Sequence, residues 1–406
     1  MNKKKIALVI GFVLVTALLG WGLYYFFFKA APFPAPGQLP AAPSAEVGGT
    51  LPTAEVGAPL GQVPGGNATQ AGQLPSASPI AQGGVTQTTL VSQNPALEPH
   101  ASDSNIAYYD RSEGKFYRLD QNGNNIPLSN QTFYNVQNIT WSPGNDKAVL
   151  QYPDGSKISY DFATQKQTTL PKHWQDFSFN SNGGKLAAKS VGLEPENRWL
   201  VVANADGTGA EGTIPLGDNA DKVTVSWSPN NQIVGFSATG DARGFASKEI
   251  LPLGLHNENL KSIIVPGLDF HPLWSKTGNT LLFSTYNPDS SYKPELWIVN
   301  AEGDTIGTGR QPIKLNTWAE KCAFADNTTI YCAVPNSLPE GAGFEPETAN
   351  GIADTIYKID TQTGIKNPIA IPDQDMTINS ITVSPQKDAL YFTDAGSGLL
   401  HKIKLK

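Results

Sequence analysis

The chain has 406 residues, 39 of them glycine and 31 proline, with two cysteines and a formal charge of −7. That length suits two or three average domains or one large β-propeller. No basic cluster follows residue 30, and neutralising a phosphate backbone needs such clusters, so composition argues against a nucleic-acid partner.

Ile6 to Phe28 is a run of 23 residues without a charge, long enough to cross a ~30 Å hydrocarbon core as a helix. Trp21, Tyr24 and Tyr25 lie toward its end, where an interfacial aromatic belt sits. Lys3, Lys4 and Lys5 precede the run and Lys29 follows it. The bias predicts residues 1–5 in the cytoplasm and 6–28 as a transmembrane signal anchor, with the cytoplasmic membrane as partner. A cleaved signal peptide is the alternative, although this apolar run is long for one and bulky at its end. Taking those four lysines from −7 leaves −11 for everything else, which is expected to be extracytoplasmic, either periplasmic or on the cell surface.

Residues 29–103 are rich in Pro, Gly and Ala. A segment so poor in periodic apolar residues does not offset its ordering entropy and is predicted to be a disordered linker. As a flexible coil, ~70 residues span roughly 45 Å. Within it, Val85 to Val91 has strand character, and residues 85–92 are placed to supply a strand to the following domain.

From residue 104 onward the chain alternates short apolar runs with turns. Thr140-Trp-Ser-Pro143 recurs as Ser226-Trp-Ser-Pro229, more loosely as Leu273-Trp-Ser-Lys276 and Thr382-Val-Ser-Pro385, and by its aromatic alone at Phe179 and Phe324. Each copy precedes a turn and a second apolar run, the pattern of a β-hairpin. The anchors Trp141, Phe179, Trp227, Trp274, Phe324 and Val383 lie roughly 40 to 60 residues apart, the period of a four-stranded blade. The fold class is therefore all-β, a β-propeller over 104–406 preceded by the transmembrane helix and the linker. About 26 strands are legible, two short of the 28 in a ring of seven four-stranded blades; six or eight blades are the alternatives. Anchors at one repeat position point to packing between blades.

The Trp-Ser-Pro hairpin is followed by Asp/Asn-x-x-Gly turns at Asp120–Gly123, Asn204–Gly207 and Asn300–Gly303, and by the longer Asp360–Gly364. In this the chain resembles the TolB-like, PD40-type (WD40-like) propeller repeat over about 105–406. Only two anchors keep Trp-Ser-Pro intact, so the resemblance is to a repeat class. It implies an extracytoplasmic binding scaffold, although other members of the class cap serine peptidases.

Cys322 and Cys332 flank one anchor hairpin and face each other if its turn centres on Asn327. Outside the cytoplasm such a pair is expected as a disulfide, with two buried thiols as the alternative. The five histidines are scattered (His100, His173, His256, His271, His401) and read as turn or surface residues. The chain has no Gly-x-Ser-x-Gly elbow, no Walker loop and no dinucleotide loop, and Asp120–Asn125 lacks the closing Glu of a calcium loop. No catalytic set, metal or cofactor is predicted.

The long insertions (191–197, 239–247, 286–294 and 335–354) all fall between the second and third strands of a unit, and so emerge on one face. Loops on a rigid scaffold are where binding concentrates. Tyr286, Asp289, Tyr292, Glu340, Phe344 and Glu345 form the candidate binding face, aromatic anchors with an acidic rim. The expected function is a non-catalytic protein-binding or scaffolding module, its partner an envelope protein or a cell-wall polymer. A polysaccharide- or peptide-acting lyase or hydrolase in the central funnel is the alternative. Deleting 337–348 is expected to remove binding and leave thermal stability nearly unchanged.

Overall fold

The computed structural model describes residues 14–16, 18–19, 21, 76–120, 123–244, 246–256 and 258–406. The chain divides into residues 1–69 and 70–406. Residues 14–16, 18–19 and 21 are helical; the rest of the 6–28 run, residues 1–5 and 29–75 lie outside the described residues. Among those described, no helix is long and apolar enough to cross a membrane.

Seven sheets follow one another along residues 85–406, each the blade of a seven-bladed propeller. Blade 1 is Ala96–Ala101, Ile106–Asp110, Lys115–Leu119 and Asn125–Pro127, and blade 2 is Asn138–Trp141, Lys147–Gln151, Lys157–Asp161 and Lys166–Leu170. Blades 3, 4 and 5 begin at Trp174–Phe179, Val223–Val225 and Leu268–Trp274, and blades 6 and 7 at Cys322–Phe324 and Ile378–Val383. First strands touch between blades 1 and 2, 2 and 3, 3 and 4, 6 and 7, and 7 and 1, so these strands line the axis.

Each blade packs on two neighbours, so its second strand is buried on both faces, and in blades 2 and 5 it carries an unbroken apolar run. Ala148, Val149 and Leu150 are wholly buried, as are Leu281, Leu282 and Phe283. The core is correspondingly divided into clusters between adjacent blades. The cluster between blades 1 and 2 sets Phe116 edge-on to Trp141 (centroids 5.4 Å apart), with Trp141 stacked on Phe162 at 5.6 Å.

The Trp-Ser-Pro serine has a local task. Ser142, Ser228, Ser275 and Ser384 are buried, and each Oγ accepts a hydrogen bond (3.0–3.1 Å) from the amide of the residue five positions on. The side chain thereby satisfies a buried amide where the turn breaks the ladder. The adjoining tryptophans reach the preceding blade. Trp141 Nε1 donates to the Glu98 carbonyl (2.8 Å) and Trp274 Nε1 to Ser226 Oγ (2.9 Å), while the Trp227 amide donates to Ser178 Oγ (2.9 Å). Phe179, Phe324 and Val383 lie in the inter-blade clusters.

The propeller begins before residue 104, inside the stretch expected to be linker. Ala96–Ala101 is the inner strand of blade 1. Its Leu-Glu-Pro-His core has no alternation, because the strand bulges between Leu97 and His100 and Glu98 sits at φ 47°. Thr89–Leu90 pairs antiparallel with Leu400–Lys404 and becomes the outer strand of blade 7, closing the ring. Val85–Thr86 adds a parallel fifth strand to blade 6 along Ile371 and Pro372. Cys322 and Cys332 are directly paired in the first hairpin of blade 6 and form a disulfide, with Cα atoms 4.0 Å apart.

Candidate functional site

Successive strands of a blade run antiparallel. Connections from second to third strand and from one blade to the next therefore share one end of the propeller, the loop end. The first hairpin turns share the other, the hairpin end.

At the hairpin end the turns bond to one another. Asn231 Nδ2 of blade 4 donates to Ser181 Oγ (2.8 Å), and Asn230 Nδ2 to the Gly278 carbonyl (3.1 Å). The amide and hydroxyl of Thr277 both donate to Asn327 Oδ1 at 3.1 Å, and Lys387 reaches Asp326 at 3.2 Å. Asn145 of blade 2 ties to blade 1 by donating to Asn105 Oδ1 (3.0 Å) and accepting from His100 Nδ1 (2.6 Å). A polar cavity of about 250 Å³ lies among these turns, with Lys276 and Lys387 facing Asp103 and Asp326.

At the loop end the connections are longer. In blade 5, Asn287 Oδ1 caps the short turn Pro288–Ser290 through the Ser290 amide (3.0 Å). In blade 6, the loop after Pro335 folds on a small core of its own, Leu338, Ala342 and Ala349 against Trp318 and Ile352. It docks on the blade 5 loop, where the Gly341 amide donates to the Ser291 carbonyl (3.0 Å) and the Gly343 amide to that of Tyr292 (2.8 Å). A Cβ at Gly343 would lie 2.5 Å from the Tyr286 ring, so only glycine permits this approach. Phe344 packs between Tyr286 and Tyr292, with centroids 4.7 and 4.8 Å away, and remains 53 % exposed. The structure thus gathers Tyr286, Tyr292 and Phe344, and leaves Asp289, Glu340 and Glu345 exposed on the same loops. The 337–348 segment is no independent appendage, since removing it would uncover Trp318.

Beside this cluster, between the first strands of blades 5, 6 and 7, is a cavity of about 330 Å³. Asp269, His271, Trp318, Glu320 and Glu347 line it. The inner strand of blade 5 bulges between Leu268 and His271, with Asp269 at φ 61°. The bulge aims both side chains to one side. His271 Nε2 meets Asp269 Oδ2 at 3.0 Å and Nδ1 meets Glu320 Oε1. Hydrogen bonds to Asp269 and then Glu320 raise the imidazole pKa to about 10, so it is an imidazolium at neutral pH. Beneath the cavity, Lys321 Nζ contacts both oxygens of buried Asp354 (2.7 and 2.8 Å), which also accepts from the Ile378 amide (2.6 Å). Among the described residues, no group of three or more His, Cys, Asp or Glu is placed to hold a metal ion.

Of the histidines expected at turns or on the surface, His100, His271 and His401 lie in strands instead, and His401 is buried against Phe392. The cavity residues escaped sequence reasoning. Their signal is positional, since Asp269 stands five residues before Trp274 and Glu320 four before Phe324, where the inner strands begin.

No protein-family model matches the sequence. No curated protein aligns with it significantly. Solved structures do resemble it in fold. An oligogalacturonate lyase in complex with manganese superposes with TM-score 0.53 at 12 % identity, covering 79 % of this chain and 93 % of that one. The oligogalacturonate lyase of Vibrio parahaemolyticus gives 0.52 at 11 %, with the same coverage. The propeller domain of Cps50 (Swd1) from Myceliophteria thermophila gives 0.52 at 10 %, covering 79 % and 100 %. At such identities the likeness is one of fold, and enzymes and other proteins share it.

Proposed function

We propose that the chain is a membrane-anchored, TolB-like propeller that displays its loop end outside the cytoplasmic membrane and binds an envelope protein there, without catalysis. One observation carries this reading. Leu268 (55 %) and Phe344 (53 %) are exposed side by side at the loop end, Leu268 as the ladder partner of Tyr286 and Phe344 packed on its ring; Tyr134 (67 %) and Leu193 (95 %) stand at the same end, whereas the hairpin end exposes Ile365 (57 %). Exposed apolar residues on one rigid face, rimmed by carboxylates, suit a protein interface. The disulfide supports an oxidising compartment, and the apolar run 6–28 with its flanking lysines supports the anchor. In-cell crosslinking of the intact protein, read by mass spectrometry, tests it. Crosslinks should concentrate on one envelope protein and on residues 192–197, 238–247, 287–294 and 336–353. Their absence, or their enrichment at the hairpin end, would sink the reading.

A second reading, an enzyme acting in the 330 Å³ cavity, draws on His271 and its two carboxylates. An imidazolium with a pKa of about 10 is a poor proton shuttle near neutrality, which favours binding over acid–base chemistry. Turnover of an envelope glycan or peptide that His271→Gln abolishes would reverse this preference.

A further inference from the structure

The sign of the loop-end cavity narrows the kind of partner, granted the binding role proposed above. Lys321 is consumed by Asp354, both of whose carboxylate oxygens accept from its Nζ. His271 is a single positive charge set between Asp269 and Glu320. Among the described residues, no lysine or arginine forms a salt bridge to Asp269, Glu320 or Glu347. Three carboxylates against one imidazolium leave two negative charges uncompensated in a partly enclosed space. The half-buried indole of Trp318 forms an adjoining wall, and its ring already lies 6.0 Å from the Lys321 ammonium. Carboxylates beside an aromatic face suit a cation, and best a planar guanidinium, which pairs in its plane and stacks on its face. A polyanion such as an oligogalacturonate has the wrong sign for this space. At about 330 Å³ the cavity is at the small end of ligand pockets, with room for one side chain.

We propose that this cavity receives an arginine or lysine side chain from the partner polypeptide, arginine being the better fit. The loop that supplies Glu347 also supplies Phe344, so a partner whose cation enters the cavity rests its neighbouring apolar residue on the Tyr286–Phe344–Tyr292 cluster.

The test is calorimetric titration of the full chain with four probes: a capped glycine–arginine hexapeptide, its lysine and glutamate counterparts, and spermidine. The arginine peptide should bind most tightly and the glutamate peptide not at all. Glu347→Gln, at an exposed position, should weaken the arginine peptide about tenfold with an unchanged melting curve, the size of one lost charge-assisted contact. Glu340→Gln, on the rim outside the cavity, should alter it less than twofold. Equal losses at both positions would reduce the effect to general acidity and overturn the site. Spermidine binding as tightly as the arginine peptide would overturn a polypeptide source. Crosslinking of a partner through Phe344 that Glu347→Gln leaves untouched would remove the cavity assignment and keep the loop-end function. Peptide binding in the cavity without any partner captured in cells would do the reverse.

Discussion

At the hairpin end of the propeller, Asn231 of blade 4 bonds Ser181 of blade 3, and Thr277 of blade 5 bonds Asn327 of blade 6. At the loop end, Phe344 rests between Tyr286 and Tyr292 and is still half exposed, and His271 carries a charge above a buried ion pair. The same strands run into both ends. Short turns at one leave their polar groups little choice but to satisfy each other across the blade boundary, while long connections at the other leave apolar and charged groups facing water. A propeller can tie neighbouring turns together at one end and leave long loops exposed at the other because its core is divided between blades and does not depend on either rim.

That division predicts where substitutions hurt. The largest effect should come from Lys321→Met, which strands the Asp354 carboxylate at 1 % exposure between blades 6 and 7. Breaking one partner of a buried pair costs about 3–5 kcal/mol, measurable by chemical denaturation. Replacing both residues by apolar ones should recover much of that, and failure to recover would mean that the pair does more than neutralise itself. Next is Ser228→Ala at the hairpin end, which leaves the buried Ile233 amide without its acceptor. An unsatisfied buried donor costs about 1–3 kcal/mol, and Ser384→Ala should match it through Ala389. A loss confined to one of the two would refute a shared role for the motif serine.

The hairpin end was the legible one. Trp-Ser-Pro followed by turn formers marked the first hairpins, because the serine, the turn and the flanking apolar strands are local and repeat. Strands without that chemistry were hidden: Ala96–Ala101 carries Pro99 and a bulge, and Thr89–Leu90 is only two residues held by a partner about 310 positions away, Leu90 opposite His401. The loop end was legible by length alone. Spacing placed Tyr286, Tyr292 and Phe344 on one face, but nothing local announces that Gly343 lets one loop seat on the other, or that Asp269 and Glu320, from different blades, converge on one imidazole.

A smaller stability effect, and a sharper functional one, should follow Phe344→Ala. The ring loses two aromatic contacts worth about 0.5–1.5 kcal/mol each but was already half solvated, so a net loss near 1 kcal/mol is expected. Partner capture in the crosslinking experiment should nonetheless disappear. Point substitution is the cleaner probe here, because deleting 337–348 also removes Leu338 and Ala342 from the cover of Trp318.

The subtlest separation of the two ends is by pH. His100, at the hairpin end, donates to Asn145, and burial lowers its pKa below 6.5. The unfolded chain then binds more protons at that site, so stability from His100 is present above about pH 6.5 and falls as the pH drops below it. His271, at the loop end, is raised to about 10 by Asp269 and Glu320. There the folded chain holds the extra proton, so the contribution is complete below about pH 6.5 and is lost as the pH rises toward 10. Buried His401, also lowered by desolvation, adds to the acid limb from blade 7. His271→Gln should therefore flatten the alkaline decline in melting temperature, and His100→Gln the acid one. The His271 effect should be modest and should shrink in salt, because its side chain is 38 % exposed and the surrounding water screens the pair. A variant at one end that flattened both limbs would show that the two rims are coupled through the blades, contrary to the independence inferred from the divided core.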